Sequence, residues 1–188
     1  MPRIKGPWLV EETVQKYKNA WLELSEDKVV RPDAVTGTFA TVLMKPGVSV
    51  LAMDDLAQVY LTSEYRYAVE RESIEVVSGG IDDEETPFVA AGRELREELG
   101  IEAAQWTSLG QIDPFTSAIH SPATLFLARK LSLLTPEPEG TELIKVLKLD
   151  LSEAVRMVMD SEITHGPSCV VILKTYLLLN SEKAELSR

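Results

Sequence analysis

The sequence predicts an α+β fold, in which strands and helices follow one another without the regular alternation of a doubly wound parallel sheet. Two observations predict it. Short β-branched and apolar segments bounded by turn residues are typical of strands. Helices are predicted at three places, one with clear start and stop signals in the middle of the chain and two near the C-terminus. We therefore expect a mixed β-sheet sandwiched between helices, and 188 residues are enough to bury a substantial core.

The strands are predicted from apolar runs between turns. Residues 8–30 mix apolar and charged side chains, and the alternation from Trp21 to Leu24 indicates a strand that Arg31-Pro32-Asp33 ends as a turn. The other predicted strands are residues 39–44, 48–53, 58–64, 73–77, 123–131 and 143–149. The two C-terminal helical patterns cover residues 152–159 and 168–179.

The best-defined helix lies in the middle of the chain. Thr86 is an N-cap residue with Pro87 at the first helical position, and Gly100 supplies the C-terminal stop. At about 100° per residue its apolar side chains form one stripe. That stripe consists of Phe88, Ala91, Leu95 and Leu99.

The chain carries 30 acidic and 19 basic side chains, a formal net charge of −11. This excess argues against a nucleic-acid partner and against a membrane of anionic lipids, because both would be repelled at long range. An anionic substrate would meet the same repulsion. If the protein acts on phosphates, we expect it to need a cation.

The cellular compartment is predicted from cysteine content and from the ends of the chain. Cys169 is the single cysteine, so no intramolecular disulfide can form. The first twelve residues lack the apolar run of a signal peptide, and the apolar run of residues 170–179 is interrupted by Lys174. We expect a cytoplasmic protein.

Acidic residues crowd around the central helix. Between Gly79 and Ile101 there are seven acidic residues and two arginines, a local net charge of −5. Glu94 and Glu98 share one border of the apolar stripe, where an i,i+4 pair of like charges costs about 0.2–0.5 kcal/mol. A divalent cation such as Mg²⁺ or Mn²⁺ would stabilise these oxygens. The alternative is an ordinary solvated helix face.

The spacing of this segment resembles the signature of the Nudix hydrolases. In that signature, five residues separate a glycine from a glutamate, and seven more residues separate this glutamate from an Arg-Glu pair. The pair is followed by an apolar residue, any residue, two glutamates, any residue, a glycine and an apolar residue. Nine fixed positions are met, by Gly79, Glu85, Arg93, Glu94, Leu95, Glu97, Glu98, Gly100 and Ile101. The resemblance implies the Nudix fold, a mixed sheet between helices.

The resemblance also implies roles for individual residues. Glu94, Glu97, Glu98 and the backbone carbonyl of Ser78 would bind Mg²⁺ or Mn²⁺. Glu97, Glu98 and Arg93 would be catalytic residues, with Arg93 and Glu85 forming an ion pair that positions the glutamates. The implied reaction is attack of water on a phosphorus of a nucleoside diphosphate linked to another group.

Flanking segments resemble the ADP-ribose pyrophosphatase branch of the family. Tyr65-Arg66-Tyr67-Ala68 and the Glu75-to-Gly79 segment match its approach to the signature, although Val77 stands where proline is usual and Ser78 where alanine is usual. Pro114 comes 13 residues after Ile101, close to a proline marker of this branch. Hydrolysis of a nucleotide sugar, FAD or NADH is one alternative, and a non-catalytic module that senses ADP-ribose is another.

That branch implies a homodimer whose N-terminal strands contact the adenine. Residues 1–45 would be the strand region for dimerisation and adenine contact and residues 46–188 the Nudix hydrolase domain, in one structural unit overall. Trp21 and Phe39 match the stacking positions, with Trp8 a third candidate, and ordinary packing is the alternative. Arg66 would bind a phosphate. The general base would come from a later acidic loop, with Glu142 preferred over Glu139.

Overall fold

The computed structural model describes residues 2–135 and 143–186, except for the side chains of residues 185 and 186. The chain divides into two units. The first unit comprises Met1–Pro46 and Asp113–Pro122, and the second comprises Gly47–Ile112 and Ala123–Arg188. Each unit contains its own β-sheet.

The described residues form twelve strands and three α-helices. The strands are β1 Arg3–Lys5, β2 Trp8–Lys18, β3 Leu22–Val30, β4 Thr36–Met44, β5 Gly47–Met53, β6 Gln58–Arg66, β7 Arg71–Glu75, β8 Val77–Gly80, β9 Ile101–Ile112, β10 Ile119–His120, β11 Ala123–Leu133 and β12 Lys145–Asp150. The helices are α1 Pro87–Leu99, α2 Leu151–Met159 and α3 Gly166–Leu186. Within the described ranges, none of these helices has the length and apolar character needed to cross a membrane.

The first unit is a five-stranded sheet in the order β1-β2-β3-β4-β10. Strands β1 to β4 pair antiparallel as successive hairpins, whereas the short β10 runs parallel to β4. Several large apolar side chains of this unit are exposed to solvent. They are Leu9, Trp21, Phe39, Leu43 and Met44.

The second unit is built on a seven-stranded mixed sheet. Its main path is β12-β6-β5-β11-β9, with β7 added to β6 and β8 added to β5. Strands β5 and β11 are parallel and the other pairs are antiparallel. Only the end of β5 pairs with β6, so that β8 can occupy the rest of that edge.

The central strands of this sheet bury both of their faces. Side chains alternate between faces along a strand, and Val50 and Phe126 pack with Leu95 of α1. On the opposite face Leu51 and Leu125 belong to the core formed with α2 and α3. The predicted α+β fold, a mixed sheet between helices, is confirmed.

Helix α1 begins and ends where its capping residues predict. The Thr86 side chain accepts a hydrogen bond from the Val89 amide at 3.3 Å, and Gly100 takes a left-handed conformation with φ of 61°. The predicted apolar stripe was wrong in one position, because Phe88 is 53% exposed and Ala90 is buried instead. Phe88 lies in the first turn, and its ring packs edge-on against Trp106 with centroids 5.3 Å apart.

Two parts of the sheet differ from the sequence prediction. The predicted strand 73–77 is interrupted at Val76, because β7 pairs with β6 while β8 pairs with β5. Strand β9 was not predicted, since its Glu, Ala and Gln residues have low β-propensity. It is held by antiparallel pairing with β11 along its length. Pairing between strands, rather than local sequence preference, therefore decides both differences.

Candidate active site

Arg93 on α1 is the centre of a cluster of carboxylates. Its Nε and Nη2 donate to the two carboxylate oxygens of Glu85 at 2.9 and 3.0 Å. Its Nη1 donates to Glu94 at 2.9 Å and to Glu97 at 3.0 Å. Nη2 also donates to the backbone carbonyl of Gly80 at 3.0 Å. The guanidinium thus joins the loop before α1 to two glutamates of the helix.

The ion pair between Arg93 and Glu85 favours the charged form of both groups. The hydrogen bond from Arg93 is the main reason that the pKa of Glu85 lies below its ordinary value. In turn, the hydrogen bond to Glu85 and the charge of Glu94 raise the pKa of Arg93, although burial opposes this shift. Arg93 is therefore a permanent cation among carboxylates, which offsets the repulsion within the acidic segment.

Gly79 allows the carboxylate of Glu94 to lie directly against the backbone of β8. A Cβ atom at residue 79 would lie 2.0 Å from both Cδ and Oε1 of Glu94. No side chain other than the hydrogen of glycine leaves room for this contact. The position of the Glu94 carboxylate therefore depends on the glycine, which gives the glycine at residue 79 a steric reason in this fold.

A second arginine, Arg66 at the end of β6, is held by two other carboxylates. Its Nε and Nη2 donate to Glu75 at 3.1 and 2.9 Å, and its Nη1 lies 2.8 Å from Glu64. Burial would raise the pKa of Glu75, but the hydrogen bond from Arg66 brings it below its ordinary value. Glu98 is close enough to contribute to the raised pKa of Arg66. The predicted phosphate-binding arginine thus has two ion-pair partners.

The N-terminal end of α3 supports the same region. The fully buried Ser168 hydroxyl accepts a hydrogen bond from the Val76 amide at 2.9 Å, where β7 gives way to β8. His165 Nδ1 lies 2.8 Å from the Ser168 hydroxyl and 3.4 Å from Glu75. Burial lowers the pKa of His165, which favours the neutral ring at pH 7.

The predicted metal ligands fit a hard divalent cation in their chemistry. Glu94, Glu97 and Glu98 supply carboxylate oxygens from one stretch of α1, with Glu94 set against β8. In the described part of the chain no three Asp, Glu, His or Cys side chains are already gathered as a metal site. The Ser78 hydroxyl is engaged with Ser49 and the Val76 carbonyl.

The two predicted stacking residues, Trp21 and Phe39, lie in the first unit and do not contact each other within one chain. Trp21 precedes β3 and is 67% exposed, with Lys45 Nζ 5.8 Å from its ring. Phe39 on β4 pairs with Asp27 of β3, which is about 20 Å along the strand from Trp21. Phe39 packs instead against Trp8, with ring centroids 5.6 Å apart.

Two candidate residues lie outside the described part of the chain, and one residue near the site had no role predicted from the sequence. Glu139 and Glu142, the candidates for the general base, lie outside the described residues. Glu75 received no role from the sequence, yet it is the main partner of Arg66. The signal that could have found it is a single acid within an apolar strand segment, because a buried carboxylate needs a cationic or hydrogen-bonding partner.

The fold and this site together define an α+β hydrolase with a carboxylate-rich helix packed on a mixed sheet. The NUDIX domain family matches residues 43–163, and the chain belongs to this family, the Nudix hydrolases. Members of the family generally use a divalent metal.

Relatives and a solved structure agree with this assignment. An ADP-ribose pyrophosphatase of Bacillus subtilis is 26% identical over 169 residues, covering 87% of this chain and 91% of the relative. One from Mycobacterium tuberculosis is 28% identical, covering 85% and 79%. A methanol dehydrogenase activator of Bacillus methanolicus is 26% identical, covering 86% and 88%. The crystal structure of an ADP compounds hydrolase shares the fold, with a TM-score of 0.80, 18% identity and coverage of 96% and 95%.

Proposed function

We propose that this Nudix hydrolase cleaves the pyrophosphate bond of ADP-ribose, or of a closely related nucleoside diphosphate compound, in a Mg²⁺-dependent reaction. The products are AMP and a sugar phosphate. The observation that carries the proposal is the arrangement of Glu85, Glu94 and Glu97 around Arg93, next to Gly79. The names of two similar proteins, both ADP-ribose pyrophosphatases, support the choice of substrate.

Glu94, Glu97, Glu98 and the carbonyl of Ser78 would hold Mg²⁺, or Mn²⁺ in its place. A bound cation neutralises phosphate oxygens and lowers the pKa of a coordinated water. The protein's contribution is orientation. Arg93 holds Glu94 and Glu97 through one nitrogen, Nη1, so that the two carboxylates stay on the same side of α1.

The reaction adds one water across the phosphoric anhydride. The water oxygen bonds to one phosphorus, the bond from that phosphorus to the bridging oxygen breaks, and the bridging oxygen leaves with the other phosphate. Glu142, or alternatively Glu139, would accept the proton of the attacking water. Arg66 would contact a phosphate, and its guanidinium is already oriented by Glu64 and Glu75.

A panel of substrates tests this proposal. Purified protein is incubated with Mg²⁺ and ADP-ribose, a nucleotide sugar, FAD or NADH, and the release of nucleoside monophosphate is measured. ADP-ribose is expected to give AMP with the highest kcat/KM. If another compound of the panel is cleaved with a higher kcat/KM, that compound rather than ADP-ribose is the preferred substrate. Tight binding of ADP-ribose without turnover in Mg²⁺ or Mn²⁺ would favour the alternative function, a non-catalytic module that senses ADP-ribose.

We further propose that the protein is a homodimer in which Trp21 and Phe39 of different subunits stack on the adenine. The exposed apolar side chains of the first unit, which include both residues, support an interface there. Light scattering is expected to give about 42 kDa, twice the chain mass of 20.8 kDa. A mass near that of one chain would contradict the dimer. A Trp21→Ala variant that keeps the wild-type KM for ADP-ribose would contradict the stacking role.

A further inference from the structure

Val76 stands between strands β7 and β8, and serine side chains bind both of its backbone polar groups. Its amide donates a hydrogen bond to the Ser168 hydroxyl at 2.9 Å. Its carbonyl accepts a hydrogen bond from the Ser78 hydroxyl at 3.0 Å. Val76 and Ser168 are fully buried, where an unpaired backbone group would be costly. Side chains therefore hold the backbone at the point where β7 ends and β8 begins.

Ser49 of β5 supports the Ser78 hydroxyl from the neighbouring strand. The two residues are partners in the register of β5 and β8, and their hydroxyl oxygens lie 2.9 Å apart. A serine hydroxyl has one proton to donate, and that of Ser78 goes to the Val76 carbonyl. Ser49, which is only 1% exposed, is therefore the donor to Ser78. The Ser78 hydroxyl thus has one acceptor and one donor in fixed positions.

The backbone of Ser78 lies beside another proposed metal ligand. Its carbonyl belongs to the peptide bond that leads to Gly79, and the carboxylate of Glu94 packs against Gly79. Gly79 and Gly80 follow Ser78 in the chain, and glycine has more backbone freedom than any other residue. The Ser78 side chain anchors this peptide bond on the side opposite to the two glycines, through its contacts with Val76 and Ser49.

We propose that the Ser78 hydroxyl, supported by Ser49, is a positioning group that holds the Ser78 carbonyl for the divalent cation. This inference rests on the proposed function, because it takes that carbonyl as a metal ligand. Ser78 then has two roles: its backbone oxygen contacts the cation, and its side chain fixes the backbone through Val76. Replacing groups that orient metal ligands commonly weakens metal binding by about 10- to 100-fold.

Direct measurement of Mn²⁺ binding tests this role without relying on activity. The free Mn²⁺ signal in electron paramagnetic resonance is recorded during titration of the substrate-free protein. Ser78→Ala keeps the backbone carbonyl but removes the hydroxyl, and it is expected to bind Mn²⁺ about tenfold more weakly than the wild type. Ser78→Thr retains a hydroxyl at this half-buried position, and its Mn²⁺ affinity should stay within about threefold of the wild type.

A double-mutant cycle separates positioning from general damage to the sheet. Ser49→Ala removes only the donor to Ser78, and it is expected to weaken Mn²⁺ binding about threefold. If Ser49 acts through Ser78, adding Ser49→Ala to Ser78→Ala should change the affinity by less than about twofold. Independent effects would multiply to roughly 30-fold and contradict the inference. The matched control is Ser63→Ala in β6, whose hydroxyl contacts Glu72, and its Mn²⁺ affinity is expected to be unchanged.

The outcomes distinguish this inference from the proposed function. Wild-type affinity in Ser78→Ala, or a Ser78→Thr variant that binds as weakly as Ser78→Ala, would overturn the positioning role and leave the metal site in place. A wild-type protein that binds no Mn²⁺ would remove the metal site of the proposed function as well. Thermal unfolding of each variant shows whether the fold is retained. If Ser78→Ala does not fold, Ser49→Ala carries the test, and wild-type affinity in that variant would then contradict the inference.

Discussion

Replacement of Glu98 by Gln is expected to abolish metal-dependent hydrolysis while leaving the fold almost unchanged. Gln has nearly the same size and shape as Glu, so the partly buried position on α1 stays filled. Loss of the charge removes a hard anionic ligand, and a contribution of several kcal/mol from the metal corresponds to a rate loss of about 10³-fold or more. Stability should hold, because repulsion from Glu94 at i,i+4 costs about 0.2–0.5 kcal/mol and is relieved.

The measurement is kcat for ADP-ribose at saturating Mg²⁺, together with the thermal unfolding midpoint. Glu102→Gln is the matched control, since Glu102 is an exposed glutamate four residues further along the chain. It should retain the wild-type kcat. A Glu98→Gln protein with a near-normal rate would exclude Glu98 from the mechanism. A strongly lowered unfolding midpoint would instead mean that the rate loss reflects damage to the fold.

Replacement of Gly79 by Ala is expected to lower activity strongly while changing stability little. The added Cβ would lie 2.0 Å from the carboxylate of Glu94, so Glu94 must move. The atoms that move are the end of a flexible side chain, and the unfolding midpoint should therefore change little. Activity depends on the position of that carboxylate, and a displacement of about 1 Å can lower a rate roughly 100-fold.

Gly92→Ala provides the control for Gly79→Ala. Gly92 lies within α1, one residue before Arg93, and a Cβ there would have no heavy atom within 4 Å. Alanine is favoured over glycine inside a helix by about 0.5–1 kcal/mol, so this variant should be slightly more stable and fully active. Wild-type activity in Gly79→Ala would show that the contact between residue 79 and Glu94 has no role in turnover.

Helix α1 shows how much of the site was predictable from sequence. Thr86, Pro87 and Gly100 act locally, through backbone hydrogen bonds and preferred dihedral angles, and they define both ends of the helix. Within those ends, helical periodicity decides which glutamates lie together. The acidic face of α1 and its resemblance to the Nudix signature are consequently properties of one contiguous segment.

Strand β9 and the interruption at Val76 show where local signals fail. The residues of β9 have weak strand preference, and its pairing with β11 supplies the backbone hydrogen bonds. At Val76 the chain changes from pairing with β6 to pairing with β5. The Val76 amide donates its hydrogen bond to the Ser168 hydroxyl of α3 instead of to a neighbouring strand. Neither the pairing of β9 with β11 nor the hydrogen bond between Val76 and Ser168, 92 residues apart, can be identified from a local pattern.

The sequence by itself determined the fold class, the limits of α1 and the set of charged residues from which the site is built. The tertiary structure decided which of those charges meet. Arg93 forms ion pairs with Glu85, Glu94 and Glu97, whereas Arg66 forms ion pairs with Glu75 and Glu64. The physical reason is that capping and periodicity act within a few residues. The Arg93–Glu85 and Arg66–Glu75 ion pairs and the contact between Gly79 and Glu94, by contrast, form only where packing brings separate elements together.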